Sequence, residues 1–92
     1  MLFIIGQKVK IKKNLSVYET YYDITKTNYN KATHAMLEFS GQIVTITHYS
    51  FGQYHIKEDK GMYFWIDGMF DLEFNNKMTF KDFIEINQNQ KT

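Results

Sequence analysis

The chain has 92 residues and a formal net charge of +1 at pH 7, which fits one compact domain and argues against a whole-molecule polyanion that imitates DNA. Cysteine is absent, so disulfides, thiolate metal sites and a cysteine nucleophile are excluded, and a reducing cytoplasm is favoured. The aromatic fraction of 17% is too high for a disordered protein and predicts some rings at the surface. Residues 1–5 are apolar but far short of the roughly 20 that span a bilayer, so we expect no membrane partner.

The first predicted strand runs from Gly6 to Lys13 and alternates strictly, with Val9 and Ile11 on one face and lysines on the other. The alternation stops after Asn14, and the stretch up to Tyr29 mixes small polar residues with tyrosines. We expect a long loop here, and long loops are often functional.

A short helix is predicted next, over 30–39. Asn30 is a suitable N-terminal cap, and Gly41 stands where a left-handed residue ends a helix. Ala32, Ala35, Met36 and Phe39 recur at helical spacing, so we expect these four side chains to lie against the sheet.

A hairpin is predicted after that helix. The β-branched stretch 42–49 reads as a strand, and residues 50–52 read as a three-residue loop with positive φ at Gly52. Pairing Ile46 with Ile56 places Val44, Ile46, Tyr54 and Ile56 on one face and sets His48 near Tyr54.

Four shorter elements complete the barrel. Residues 58–61 form a turn, 62–66 a strand, 67–70 a tight single-turn connection and 71–74 a fifth strand. A terminal helix over 79–86 is expected from the helical spacing of Phe80, Phe83 and Ile84. We therefore assign residues 1–74 to a β-barrel domain and 75–92 to a C-terminal helix with a frayed tail.

Four segments together resemble a group of small proteins of phages and prophages of low-GC bacteria that have an SH3-like barrel. They are GQKVKI (6–11), Met36 with GQIVTI (41–46), YHIKED (54–59) and FWIDGMF (64–70). The chain departs from that group at Gln7 and Gly68, where Asp and Glu are usual. The resemblance implies a mainly β fold with minor α: a small five-stranded SH3-like barrel with a short helix before the second strand. It also implies the cytoplasm of a bacterial host.

Catalytic and metal sites are not expected. Under the hairpin register above, His48 and His55 face opposite sides, and His34 has no second ligand at metal-binding spacing. Asp67 and Asp71 are better suited to capping turn amides than to holding a cation. Without a phosphate loop, a nucleophile elbow or paired carboxylates, we predict a non-enzymatic protein with no cofactor.

Aromatic side chains are the candidate partner-binding residues, because large rings dominate many binding interfaces. They are Tyr18, Tyr21, Tyr22, Tyr29, Tyr63 and Trp65. Two alternatives remain open here: Trp65 is a binding ring or a core residue, and the loop tyrosines contact a partner or fold over the barrel.

Lysines crowd the start of the chain at Lys8, Lys10, Lys12 and Lys13. This stripe could follow a phosphate backbone while the loop tyrosines stack on bases. It could equally be a solvated face that discourages edge-to-edge aggregation. Every cation in the chain is lysine, and the absence of arginine weakens sequence-specific reading of bases.

Two functional hypotheses follow. The first is a phage-encoded inhibitor that binds a host protein, such as a CRISPR effector or another defence nuclease, and it is drawn from the kind of genome that the resemblance suggests. The second is a nucleic-acid-binding accessory protein that uses the lysine stripe. Either protein could be a monomer or a homodimer.

Overall fold

The strands of the protein form two small antiparallel sheets in a computed structural model that describes residues 2–73. They are β1 (Lys8–Lys10), β2 (Thr20–Tyr22), β3 (Tyr29–Lys31), β4 (Ile43–Ser50) and β5 (Gln53–Ile56). Short 3-10 helices occupy Ala35–Phe39 and Asp67–Met69. The described chain is therefore mainly β, as predicted. Within it, no helix is long and apolar enough to cross a membrane.

The first sheet has the strand order β1-β4-β5. β1 pairs antiparallel with β4, and Val9 lies opposite Val44. Both valines and Ile11 are fully buried, so the predicted alternation of the first strand is confirmed.

The β4–β5 hairpin confirms one part of its prediction and corrects another. Ile46 pairs with Ile56 as expected, but the loop has two residues, because Ser50 pairs with Gln53. A β-bulge between Ile46 and His48 supplies the extra residue. Beyond the bulge the side chains change face, so His48 lies opposite His55 and not near Tyr54.

The second sheet is a hairpin of β2 and β3, where the sequence predicted only a long loop. Each strand has three residues, too few to show a period-2 pattern. Tertiary contacts hold the hairpin in place. Gly68 of the second 3-10 helix lies so close to β2 that a Cβ there would be 2.6 Å from the Tyr22 carbonyl oxygen.

The predicted helix over 30–39 is reduced to the 3-10 helix Ala35–Phe39, because Asn30 belongs to β3. Ala32 and Met36 are buried and Phe39 packs on the core, as expected, whereas Ala35 is exposed. Gly41 has the predicted positive φ, at 75°.

The predicted strand over 62–66 is represented only by a bridge between Trp65 and Tyr54. The single-turn connection over 67–70 is confirmed by the second 3-10 helix. Of the predicted strand over 71–74, the described part shows no ladder, although the preceding Phe70 bridges to Ile11. The two sheets do not join into a continuous five-stranded barrel. The predicted helix over 79–86 lies outside the described residues.

Aromatic rings dominate the core. Tyr54, Trp65 and Phe70 are fully buried, and Phe3 is nearly so. Phe70 meets Phe3 edge-on at 5.2 Å between ring centroids and Tyr54 edge-on at 5.7 Å. This geometry is favourable for aromatic pairs and compensates for the small size of the domain.

Candidate binding surface

Phe51 occupies the tip of the β4–β5 hairpin and is 94% exposed. Its φ is 51° and that of Gly52 is 80°, and two successive positive φ values are typical of a type I′ turn. Asn and Gly are the preferred residues there, because a left-handed conformation costs about 1–2 kcal/mol for a residue with a side chain. An exposed ring therefore coincides with an unfavourable backbone, as often happens at functional sites.

Tyr22 and Tyr29 form a cross-strand pair on the β2–β3 hairpin. Their ring centroids are 6.4 Å apart, and the side chains are 47% and 68% exposed. Tyr21 points the other way and is buried, and its hydroxyl accepts a hydrogen bond of 2.8 Å from the Ser16 amide. Burial raises the pKa of Tyr21 above its usual value of 10.0, and this effect exceeds the lowering by the Ser16 bond.

The two hairpins lie side by side. Asn28, in the β2–β3 loop, packs directly against Gly52 at the β4–β5 tip. Ile24 and Phe51, both exposed, line one cavity between the loops. We call Tyr22, Ile24, Tyr29 and Phe51 the hairpin surface.

The cavity of about 450 Å³ between the hairpin loops has two aspartates in its lining. Asp23 holds the β2–β3 loop together by accepting hydrogen bonds from the Thr27 amide at 3.0 Å and the Asn28 side chain at 2.9 Å. Burial acts to raise the pKa of Asp23, but the bonds from Asn28, Thr25 and Thr27 outweigh it and lower the pKa to about 2.

Asp67 is the second aspartate of this cavity and is only 4% exposed. Its Oδ2 accepts a hydrogen bond of 3.1 Å from the Ile24 amide, which ties the second 3-10 helix to the β2–β3 loop. Its Oδ1 is buried and makes no short, well-aligned hydrogen bond among residues 2–73, although the Tyr54 hydroxyl lies close enough to the Asp67 carboxylate to interact with it. Burial raises the pKa of Tyr54, and a side-chain hydrogen bond to the Asp67 carboxylate and the charge of that carboxylate add to the effect.

The histidine prediction is wrong in one respect. His48 and His55 share a face of the β4–β5 hairpin, with ring centroids 6.1 Å apart, because the bulge moves His48 to the outer side. The two histidines line a second cavity of about 440 Å³ together with Lys57 and Lys60. His34 is exposed elsewhere, and no cluster of three metal-ligating side chains occurs in the described chain.

The remaining predicted partner-binding residues differ in how far their side chains are exposed. Tyr18 is 91% exposed in the loop before β2, and Tyr63 is half-buried. Trp65 lies in the core beside Phe39, which corrects its assignment as a binding ring. Tyr21 is corrected in the same way, since neither buried ring offers a surface to a partner.

The lysine stripe is partly engaged within the protein. Lys8 Nζ donates a hydrogen bond of 3.2 Å to Thr45 Oγ1, which also donates to the Glu58 carboxylate. Lys12 Nζ lies 5.6 Å from the centroid of the Tyr21 ring. Lys10 is half-buried, and Lys13 is exposed. The predicted stacking of Tyr21 on bases is not compatible with its burial.

Comparison with known protein families, with curated proteins and with solved structures finds no match. Ile24, Phe51 and Asp67 were not predicted from the sequence as members of a binding surface. For Phe51 a signal existed, since a phenylalanine beside glycine in a hairpin turn is unusual. For the burial of Asp67 no local signal existed, because its surroundings come from distant segments.

Proposed function

We propose that the chain is a non-enzymatic, phage-type binding protein that inhibits a host defence system by protein–protein contact. It would act in the cytoplasm of the bacterial host on a CRISPR effector or another defence nuclease. The main support for protein–protein contact is Phe51. Its ring is 94% exposed at the hairpin tip, and its backbone has an unfavourable positive φ of 51°.

The composition of the hairpin surface supports this mode. Rigid aromatic side chains provide large contact areas at low cost in conformational entropy, and they are enriched among residues that dominate binding energy. Tyr22 and Tyr29 are held by strand pairing and Phe51 by a two-residue turn. A partner would therefore meet apolar groups that are already ordered.

We propose further that the fold is an SH3-like barrel with irregular closing strands. β5 bridges to Trp65 at one edge of the first sheet, and β1 ends beside Phe70 at the other. Only Ile66 and the second 3-10 helix separate these two bridges along the chain. Backbone hydrogen bonds from the Lys12 amide to Met69 and from the Asp71 amide to Lys10 strengthen the second contact.

The experiment is an affinity purification of tagged protein from host lysate, with half of the sample treated with nuclease. A stoichiometric protein that survives nuclease treatment is the expected result. If the bound material disappears after nuclease treatment, nucleic-acid binding through the lysine stripe would replace this proposal. Absence of any stoichiometric partner in both halves would count against both.

A further inference from the structure

The cavity of about 440 Å³ beside the β4–β5 hairpin is lined by four basic side chains. They are His48, His55, Lys57 and Lys60. No acidic residue is among the described residues of its lining. A concave site with several basic groups and no carboxylate favours a negatively charged ligand.

The two acidic residues of the turn after β5 are engaged by other groups. Glu58 accepts hydrogen bonds of 2.8 Å from the Thr45 amide and 3.2 Å from the Thr45 hydroxyl. Asp59 is buried, and its carboxylate accepts the bond from Trp65 Nε1 in the core. The turn therefore directs its carboxylates to partners within the protein, whereas Lys57 and Lys60 are exposed.

The backbone at Lys60 is a second indication. Its φ is 58°, a left-handed conformation that is unfavourable for a residue with a side chain and that suits Gly or Asn better. Gly61, which follows, also has a positive φ, at 75°. The turn alone does not account for a lysine at this position, whereas a role for its ammonium group in the cavity does.

The histidine pair supplies further donors once it is protonated. His48 lies opposite His55 on the neighbouring strand. His55 Nδ1 lies 3.3 Å from the Gly61 carbonyl oxygen, which can only accept, so Nδ1 carries a proton and donates it to this bond. Nε2 of the neutral ring is then an acceptor and becomes a donor only in the imidazolium form. Binding of an anion by His55 therefore requires the uptake of a proton.

A metal ion fits this cavity poorly. The two histidines offer two nitrogen ligands, whereas zinc in proteins takes three or four protein ligands. Among residues 2–73 no third metal-ligating side chain joins them. The lysines in the lining would also repel a cation.

Phosphate matches these groups better than a carboxylate does. A phosphate ester carries nearly two negative charges and three acceptor oxygens, and lysine is a common phosphate ligand. The cavity has room for more than the phosphate itself. Phe64 is 52% exposed, and its ring meets that of His55 edge-on at 5.0 Å between centroids. An aromatic surface on which a nucleobase could stack therefore adjoins the basic cavity.

We propose that this cavity binds a phosphate group, held by Lys57, Lys60 and the protonated imidazoles of His48 and His55. The site shares no residue with the hairpin surface, and it does not depend on the function proposed above.

The test is a titration of the ¹⁵N-labelled protein with methyl phosphate at about pH 6.5, where imidazole is partly protonated. Sodium chloride keeps the ionic strength constant, and acetate is the control anion. We expect methyl phosphate to shift the Gly61 amide and the ring signals of both histidines, and to bind at least about tenfold more tightly than acetate. Equal binding of the two anions, or shifts that avoid these signals, would overturn the proposal.

Replacement of both cavity lysines, Lys57→Gln with Lys60→Gln, should weaken methyl phosphate binding by at least about tenfold. The matched control is Lys13→Gln with Lys31→Gln, which removes the same charge from exposed positions outside the cavity lining. Equal affinities of the two double variants would overturn the proposal, because the attraction would then come from net charge alone. If a variant does not fold, the comparison of anions on the unaltered protein decides.

The dependence on pH tests the role of the imidazoles. Sulfate is the probe, since it stays a dianion while the histidines titrate. We expect sulfate to bind more tightly as the pH falls from about 8 to about 5.5, and this gain to disappear in His48→Gln with His55→Gln. An affinity that does not change with pH in the unaltered protein would overturn the assignment of the imidazoles as donors.

Adenosine monophosphate separates two sources of the phosphate, and either result is compatible with the site. Tighter binding than methyl phosphate, with the advantage lost in Phe64→Leu, assigns the phosphate to a nucleotide. Equal binding assigns it to a phosphorylated molecule without a base. A failed titration leaves the lysate experiment intact, so the two proposals fail separately.

Discussion

Trp65 Nε1 donates a hydrogen bond of 2.8 Å to Asp59 Oδ2, which joins the largest core side chain to a turn 6 residues earlier. The same carboxylate accepts bonds from the backbone amides of Gly61, Met62 and Tyr63. One buried aspartate therefore shapes the turn after β5 and orients the indole. This accounts for the absence of a strand over residues 62–64, while Trp65 still bridges to Tyr54.

Asp59→Ala should lower the free energy of unfolding by about 2–4 kcal/mol, because it leaves the indole and the Tyr63 amide without an acceptor and removes the side-chain acceptor of the Gly61 and Met62 amides. The measurement is urea denaturation followed by Trp65 fluorescence. Lys57→Ala is the control, since the Lys57 side chain is exposed and its loss should cost less than about 1 kcal/mol. Equal effects of the two substitutions would contradict the role given to Asp59.

Gly68→Ala should cost about 1–3 kcal/mol, because the added Cβ would lie 2.6 Å from the Tyr22 carbonyl oxygen. The backbone at Gly68 is not left-handed, so the effect is steric. Gly6→Ala is the comparison: it meets nothing within 4 Å but has a φ of 90°, so its cost is conformational. Loss of the β2–β3 amide protection in hydrogen exchange should accompany only the Gly68 change. Unchanged protection would indicate that β2 does not depend on this contact.

Phe51→Asn should stabilise the isolated protein by about 0.5–1 kcal/mol, since Asn adopts the left-handed conformation more readily and the ring is 94% exposed. Thermal unfolding measures the change. A destabilised variant would show that the ring makes contacts that its exposure does not suggest.

Protonation of Asp23 should weaken the fold at acidic pH. The pKa of Asp23 in the folded protein, about 2, lies below the usual 3.8. Its contribution to the free energy of unfolding is therefore complete above about pH 4 and is lost as the pH falls towards 2. Melting temperatures recorded between about pH 6 and pH 2 should fall less steeply in Asp23→Asn than in the unaltered protein. Parallel curves would contradict the assignment of this loss to Asp23.

The sequence predicted those elements whose structure depends on local alternation. The faces of β1 and the Ile46–Ile56 register follow from period-2 burial of β-branched residues. The β2–β3 hairpin could not be predicted, because three-residue strands depend on Asp23 and on contact with Gly68. The bulge before His48 could not be predicted either. It keeps Ile46 paired with Ile56 when the loop has two residues, and the sequence alone did not distinguish a two-residue loop from a longer one.

The central claim is that the hairpin surface binds a host protein through Phe51. The most direct test compares how much nuclease-resistant partner is recovered from lysate by the unaltered protein, by Phe51→Asn and by Ile5→Ala. Ile5 is a matched control because it is exposed and apolar and lies next to Gly6, whose amide donates to Ile46 in the middle of β4, away from the tip. We predict at least about tenfold lower recovery with Phe51→Asn and unchanged recovery with Ile5→Ala, in keeping with the loss of a dominant interface residue. Equal recovery by all three proteins would contradict the account.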